Sequence, residues 1–244
     1  MSYCLAIQTD QGLVFASDSR THGGVDQVNA YSKMHRFEVS GERVFVLLSA
    51  GNLSTTQSVV HRIDRQFEEP AGHGLLQAAT LFDAAEYVGR MSRDIRNDHV
   101  KHNEDANFDA SFLIGGQIRG QPPEICLIYP EGNCIRAPAE KPFLQIGETQ
   151  YGKPILDRIV TPSTPLDDAA RCALVSLDST MRSNLAVGPP IELAIYERDA
   201  LRLSRHERYE ADAPWLLDLQ ASWSATVARG MRILPRFPWE TEAP

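Results

Sequence analysis

The chain has 244 residues, 43% of them hydrophobic, which suits one large domain or two small ones around an ordinary packed core. Twenty-four basic against thirty-two acidic side chains give a net charge of −8 with no basic cluster, which argues against a nucleic-acid surface. No apolar run has the length of a membrane span, and the first residues lack the charged-then-apolar pattern of a secretory signal.

The chain opens Met1-Ser2-Tyr3-Cys4. A small second residue lets an aminopeptidase remove Met1, which would leave Ser2 with both a hydroxyl and a free α-amine. Alternation from Tyr3 to Gln8 predicts a strand, Asp10-Gln11-Gly12 a turn, and Leu13–Ser17 a second strand leading into Asp18-Ser19-Arg20. Lys33 follows one loop later. His35–Val39 and Arg43–Ala50 read as a hairpin turning at Ser40-Gly41-Glu42, ending on Ser49-Ala50-Gly51-Asn52. Asn52 or Ser54 would cap a helix running to about Glu69 and stopped by Pro70-Ala71-Gly72, and a second helix is expected from Leu75 to Asp98.

Residues 100–107 are polar and loop-like. Ala110–Ile118 and Glu124–Tyr129 predict strands joined through Gly120 and Pro122-Pro123, with Gly115-Gly116 marking a bulge or a close approach, and Phe143–Ile146 predicts another strand. A helix is expected from Thr164-Pro165, with the threonine as cap and Asp167 near the positive end of the dipole. Leu166, Ala170, Ala173, Leu177 and Met181 would form its buried face. Ile191–Tyr196 and Ala200–Leu203 read as a final hairpin around Arg198-Asp199, before a helix over Trp215–Met231. Two sheets between outer helices bury such elements, and no linker or repeat divides them, so a single domain over 1–244 is expected.

Cys4, Cys126, Cys134 and Cys172 lack the spacing of metal ligands, and a chain this long does not depend on disulfides. Reduced thiols and a cytoplasmic location are the expectation. His99 and His102 share a spacing that suits one helix face, but no third ligand lies nearby in sequence. No phosphate-cradling glycine loop occurs, so neither a metal nor a cofactor is expected.

The sharper pattern is a terminal Ser2, then Asp18, Lys33 and Gly51 in that order. A serine hydroxyl needs a base to remove its proton as it attacks. An α-amine, with a reference pKa of about 7.7–8.0, can be that base near neutral pH. Lys33 would favour the anionic hydroxyl, Asp18 would hold and charge Lys33, and the Gly51 N–H would face the oxyanion of an attacked carbonyl. One oxyanion donor of that kind is worth about 3–4 kcal/mol. Each residue alone has a plainer reading, as a turn acid, a surface lysine or a helix-entry glycine.

The segments Gly12–Arg20, Lys33-Met34-His35 and Leu47–Asn52 resemble proteasome β-type subunits, and within them the bacterial Anbu (ancestral β-subunit) group. The resemblance implies a four-layer αββα sandwich, an α+β N-terminal-nucleophile hydrolase fold, here with Ser2 in place of a propeptide-released threonine. It implies a substrate pocket at Thr21, Tyr31, Ser49 and Leu53. Support for the amine would come from the stretches around Gly147-Glu148 and Arg182–Gly188, with Ser183 and Asn184 as the short polar candidates.

The resemblance also implies self-association into rings or open helical turns around a peptide or amide substrate. A partner that feeds substrate, an ATPase or another enzyme, is not legible. Three activities fit this pattern: a compartmentalised peptidase or amidase, an acyl-transferring enzyme that uses the same nucleophile, and a catalytically silent assembly subunit.

Overall fold

The computed structural model describes residues 1–22, 28–68, 74–101 and 106–240. From the N-terminus come β1 (Tyr3–Thr9), β2 (Gly12–Asp18), β3 (Arg20–His22), β4 (Val28–Ala30), β5 (Met34–Val39) and β6 (Arg43–Gly51). Helices α1 (Leu53–Glu68) and α2 (Leu81–Val100) follow, then β7 (Ala110–Ile118), β8 (Glu124–Ile128), β9 (Cys134–Arg136) and β10 (Phe143–Gly147). A second helical pair, α3 (Lys153–Ile159) and α4 (Leu166–Ser183), precedes β11 (Ile191–Glu197), β12 (Arg205–Tyr209) and α5 (Pro214–Arg232).

The strands form two antiparallel five-stranded sheets, ordered β10-β1-β2-β11-β12 and β5-β6-β7-β8-β9, with a β3-β4 ribbon beside them. Side chains on one face of β1, Cys4 and Ala6, join Phe15, Val46, Leu48 and Leu113 in the core between the sheets. The other face of β1 turns toward α4, where Tyr3 Oη meets Ser176 Oγ at 2.7 Å. Beyond the second sheet, Val59 and Ile63 of α1 and Val88 and Ile95 of α2 pack on Leu47, Phe112 and Ile114. The result is helices, sheet, sheet, helices, the αββα arrangement of the sequence reading. Strands buried on both faces lose the alternation of a half-exposed sheet, which is why β2 is buried at every position.

Several local expectations are met. Asn52 Oδ1 accepts from Thr55 N at 3.1 Å and so caps α1. Gly115 lies against the Phe15 ring, where a Cβ would overlap it, so the glycine pair marks a close approach between sheets.

Others are corrected. The second helix does not begin at Leu75, which starts a short 3₁₀ turn; α2 begins at Leu81, where Thr80 and Asp83 form a reciprocal capping box. Thr164 does not cap α4, because its Oγ1 accepts from Thr161 N at 2.9 Å; Leu166 N donates instead to Gln11 Oε1 at 3.1 Å.

The partner of β11 is Arg205–Tyr209 rather than Ala200–Leu203. Asp199 and Leu201 take positive φ in the connecting loop, and the apolar Ala200 and Leu203 pack against the inter-sheet core without pairing. The β3-β4 ribbon, β9 and α3 were not anticipated. The proposed helix stop at residues 70–72 and the ligand candidate His102 lie outside the described residues.

Contacts group the chain into two compact units, Met1–Glu210 and Ala211–Pro244, where the sequence reading has one domain over 1–244. The first holds both sheets and α1 to α4. The second holds α5, a 19-residue helix with Pro214 in its first turn and with Trp215, Leu217, Val227 and Met231 exposed. No helix among the described residues is long and apolar enough to cross a membrane.

Candidate active site

Ser2 sits half-buried where the chain enters β1, held by backbone on both sides. Its carbonyl accepts from Glu148 N at 2.7 Å, and the next amide, Tyr3 N, donates to Asp18 Oδ1 at 2.9 Å. Gly147, at the end of β10, runs directly beneath that carbonyl with φ of 82°. A Cβ at Gly147 would overlap the Ser2 carbonyl, so both the left-handed backbone and the close approach require glycine.

Asp18 ends β2 and is fully buried. Lys33 precedes β5, is 6% exposed, and its carbonyl accepts from Ser49 N at 3.0 Å, which seats it beside the end of β6. Lys33 Nζ donates to Asp18 Oδ1 at 2.6 Å and to the Arg20 carbonyl at 2.8 Å. Asp18 Oδ2 accepts from Gly188 N at 3.2 Å. The carboxylate therefore receives a lysine and two backbone N–H groups, a donor set that suits its ionised form. Burial pushes the Asp18 carboxyl upward, against the opposing pull of Lys33 and of the N–H groups of Tyr3 and Gly188.

One cavity of about 480 Å³ gathers most of the residues singled out in sequence. Ser2, Lys33 and Gly51 line it, together with Thr21, Tyr31, Ser49 and Leu53, and Met1 lies on its wall, 68% exposed. Asp18 stands behind Lys33. Gly51 has φ of 115° and its chain passes so close to the Asp109 carbonyl that a Cβ has no room.

The two remaining candidates separate. Ser183 is exposed at the last position of α4, whereas Asn184 turns back and its Nδ2 donates to Glu148 Oε2 at 3.0 Å. Glu148 thus presents its amide to Ser2 and its carboxylate to Asn184, and Gly188 supplies an amide to Asp18. Neither role was assigned from sequence. The only available signal was the glycine turn at 147, which says where the chain bends but not which neighbour holds what.

The four cysteines are free, and burial raises the thiols of Cys4, Cys126, Cys172 and Cys134. No group of three or more His, Cys, Asp or Glu side chains suited to a metal occurs among the described residues.

The proteasome subunit family model matches residues 2–196, a span that contains every residue of this site except Met1. The chain belongs to the proteasome subunit family. Among curated relatives it is similar to the proteasome subunit beta of Haloferax volcanii, 23% identical over 212 residues that cover 84% of this chain and 77% of the relative.

Solved structures are nearer. Anbu (ancestral beta-subunit) from Yersinia bercovieri is 41% identical, with a TM-score of 0.90 over 96% of this chain and 98% of that one. The helical assembly of the Anbu complex from Pseudomonas aeruginosa is 43% identical, with a TM-score of 0.92 over 97% and 98%. The αββα sandwich is accordingly the proteasome-type fold, with Anbu structures among its close relatives.

Proposed function

We propose that this proteasome-family chain is an N-terminal-nucleophile hydrolase that cleaves peptide or amide bonds with Ser2, once Met1 has been removed. The observation that carries the reading is the buried Lys33–Asp18 bond of 2.6 Å behind a cavity shared by Ser2, Lys33 and Gly51. In the proposed reaction Ser2 Oγ attacks the substrate carbonyl while the freed α-amine takes the hydroxyl proton. The tetrahedral oxyanion collapses to an ester, and the departing amine leaves with that proton. Water then attacks the ester, giving the acid and restoring the hydroxyl.

Lys33, kept charged by Asp18, favours the developing Ser2 alkoxide, and the Gly51 N–H serves the oxyanion. Asn184 and Glu148, rather than Ser183, are the groups assigned to hold the amine. Thr21, Tyr31, Ser49 and Leu53 form the wall against which the substrate side chain lies.

Self-association belongs to the same reading. The Pseudomonas aeruginosa relative is described as a helical assembly, and contacts between unlike faces of one subunit generate rings or helices according to whether the rotation closes. A cytoplasmic, reducing location fits four free cysteines. The test is an acyl-trapping electrophile followed by mass spectrometry of the N-terminal peptide. An adduct on Ser2 in the chain lacking Met1, absent from Ser2→Ala, supports the proposal. An adduct elsewhere, or none, removes it.

A further inference from the structure

Arg20 stands where three parts of the candidate site meet. It opens β3 directly after Asp18-Ser19, and its carbonyl is the second acceptor of Lys33 Nζ, at 2.8 Å. Its amide donates to the Gly188 carbonyl at 3.2 Å, as does that of Ser19 at 3.4 Å. Its half-buried side chain crosses to the same loop, where Nη1 donates to the Leu185 carbonyl at 2.7 Å. The guanidinium lies over Gly188 so closely that a Cβ there would overlap it.

The loop held in this way carries two supports of the site. Gly188 N donates to Asp18 Oδ2 at 3.2 Å, on the carboxylate that also receives Lys33. At the other end Asn184 Nδ2 donates to Glu148 Oε2, and Glu148 N holds the Ser2 carbonyl. Asn184 is folded into the loop itself: its Oδ1 accepts from Ala186 N at 3.0 Å and its carbonyl from Val187 N at 3.1 Å. Residues 184–188 thus form one small turn. Leu185 at its crest is 82% exposed, so its own side chain adds little packing to hold the turn in place. Successive side chains of a strand point to opposite faces, and β3 turns Arg20 to this loop and Thr21 to the substrate cavity.

We propose that Arg20 is a positioning residue whose guanidinium fixes the 184–188 turn and, through Gly188 and Asn184, sets both the Lys33–Asp18 pair and the seat of Ser2. This rests on the reading of Ser2 as nucleophile and adds to it a residue that tunes the site without touching the reacting atoms. A charged donor on a backbone carbonyl is a strong tie. Without it the turn is released and Gly188 N withdraws from Asp18. A carboxylate that loses such a donor takes up its proton at higher pH. The cavity wall at Thr21 lies on the other face of β3 and is spared.

The test follows labelling of Ser2 by a tripeptide diphenyl phosphonate on the assembled protein lacking Met1, read by intact mass spectrometry over probe concentration and pH. Arg20→Ala is expected to lower the maximal labelling rate by about tenfold or more and to leave the half-saturating probe concentration within about threefold, since it displaces the reacting groups and not the pocket wall. The loss of labelling that accompanies Asp18 protonation should move upward in pH. Arg20→Lys, which retains a donor, should recover part of the rate. Gly188→Ala puts a methyl group where the guanidinium lies, and the flexible arginine yields. Its effect should match that of Arg20→Ala and be far smaller when added to it, as coupled residues require. Thermal unfolding checks each fold; if Arg20→Ala does not fold, the same comparison is made between Arg20→Lys and Gly188→Ala. Labelling at the parent rate with an unmoved acid loss, or effects of the two substitutions that simply add, overturns the positioning role and leaves the nucleophile standing. A parent chain that does not label at Ser2 overturns the nucleophile and this proposal with it.

Discussion

The Lys33–Asp18 bond concentrates two charges in one almost wholly buried place, and its consequences are severe. Lys33→Ala leaves Asp18 as a buried carboxylate without its cation, an expected loss of about 3–5 kcal/mol measured by denaturant unfolding. Ser2→Ala and Lys33→Ala should each abolish the Ser2 adduct, and the double variant should be no worse than either, because residues acting as a unit are strongly non-additive.

The pH dependence follows from the direction of the Asp18 shift. Burial raises the carboxyl from 3.8, so the acceptor for Lys33 is lost as pH falls through a value above that one. Adduct formation should therefore show, below the acid limb set by protonation of the α-amine, a second loss at a pH above 3.8 that disappears in Asp18→Asn. The sign for stability is opposite. A raised carboxyl contributes most below its ordinary value and loses that contribution as pH rises through the raised one.

Individual elements are held by contacts that join distant parts of the chain. Tyr3 Oη meets Ser176 Oγ of α4, so Tyr3→Phe should cost about 1 kcal/mol and loosen the strand entered from Ser2. Glu192 of β11 is 3% exposed and accepts from Ser32 Oγ at 3.0 Å, immediately before Lys33, and from Arg208 of β12 at 3.3 Å. Glu192→Gln should reduce the Ser2 adduct rate while thermal unfolding shows the fold retained, since it weakens the tie on the lysine segment without touching the reacting atoms.

Contacts of this kind decided what was legible in sequence. Asn52 announced α1 because its partner, Thr55, is three residues on. The start of α4 was misread because its cap comes from Gln11, 155 residues away. The false strand at Ala200–Leu203 had the apolar content of a strand, but Leu201 within it takes positive φ, a backbone that a leucine does not advertise. Ser2, Lys33 and Gly51, which line one cavity, and Asp18, paired with Lys33, could be singled out because the proposed chemistry asks for those types in that order. Glu148 and Gly188 act largely through main-chain amides, which any residue type could supply.

At the scale of the molecule the two sheets meet through Phe15 and Gly115. Gly115→Ala should overfill that contact and cost about 1–3 kcal/mol by denaturant unfolding, more than an alanine in an ordinary strand. Light scattering at micromolar concentration should show assemblies well above one subunit, and a monomer in every buffer would end the compartment reading.

The seat of Ser2 has a further consequence. The residue is fixed from behind, by Glu148 on its carbonyl and by Asp18 on the following amide, while Met1 lies exposed on the cavity wall. Neither of these hydrogen bonds involves Met1. On the proposed function, folding and activation are separable events, and the first methionine would act as a detachable safety catch. Chains with and without it should melt at the same temperature, while only the shorter one becomes chemically armed.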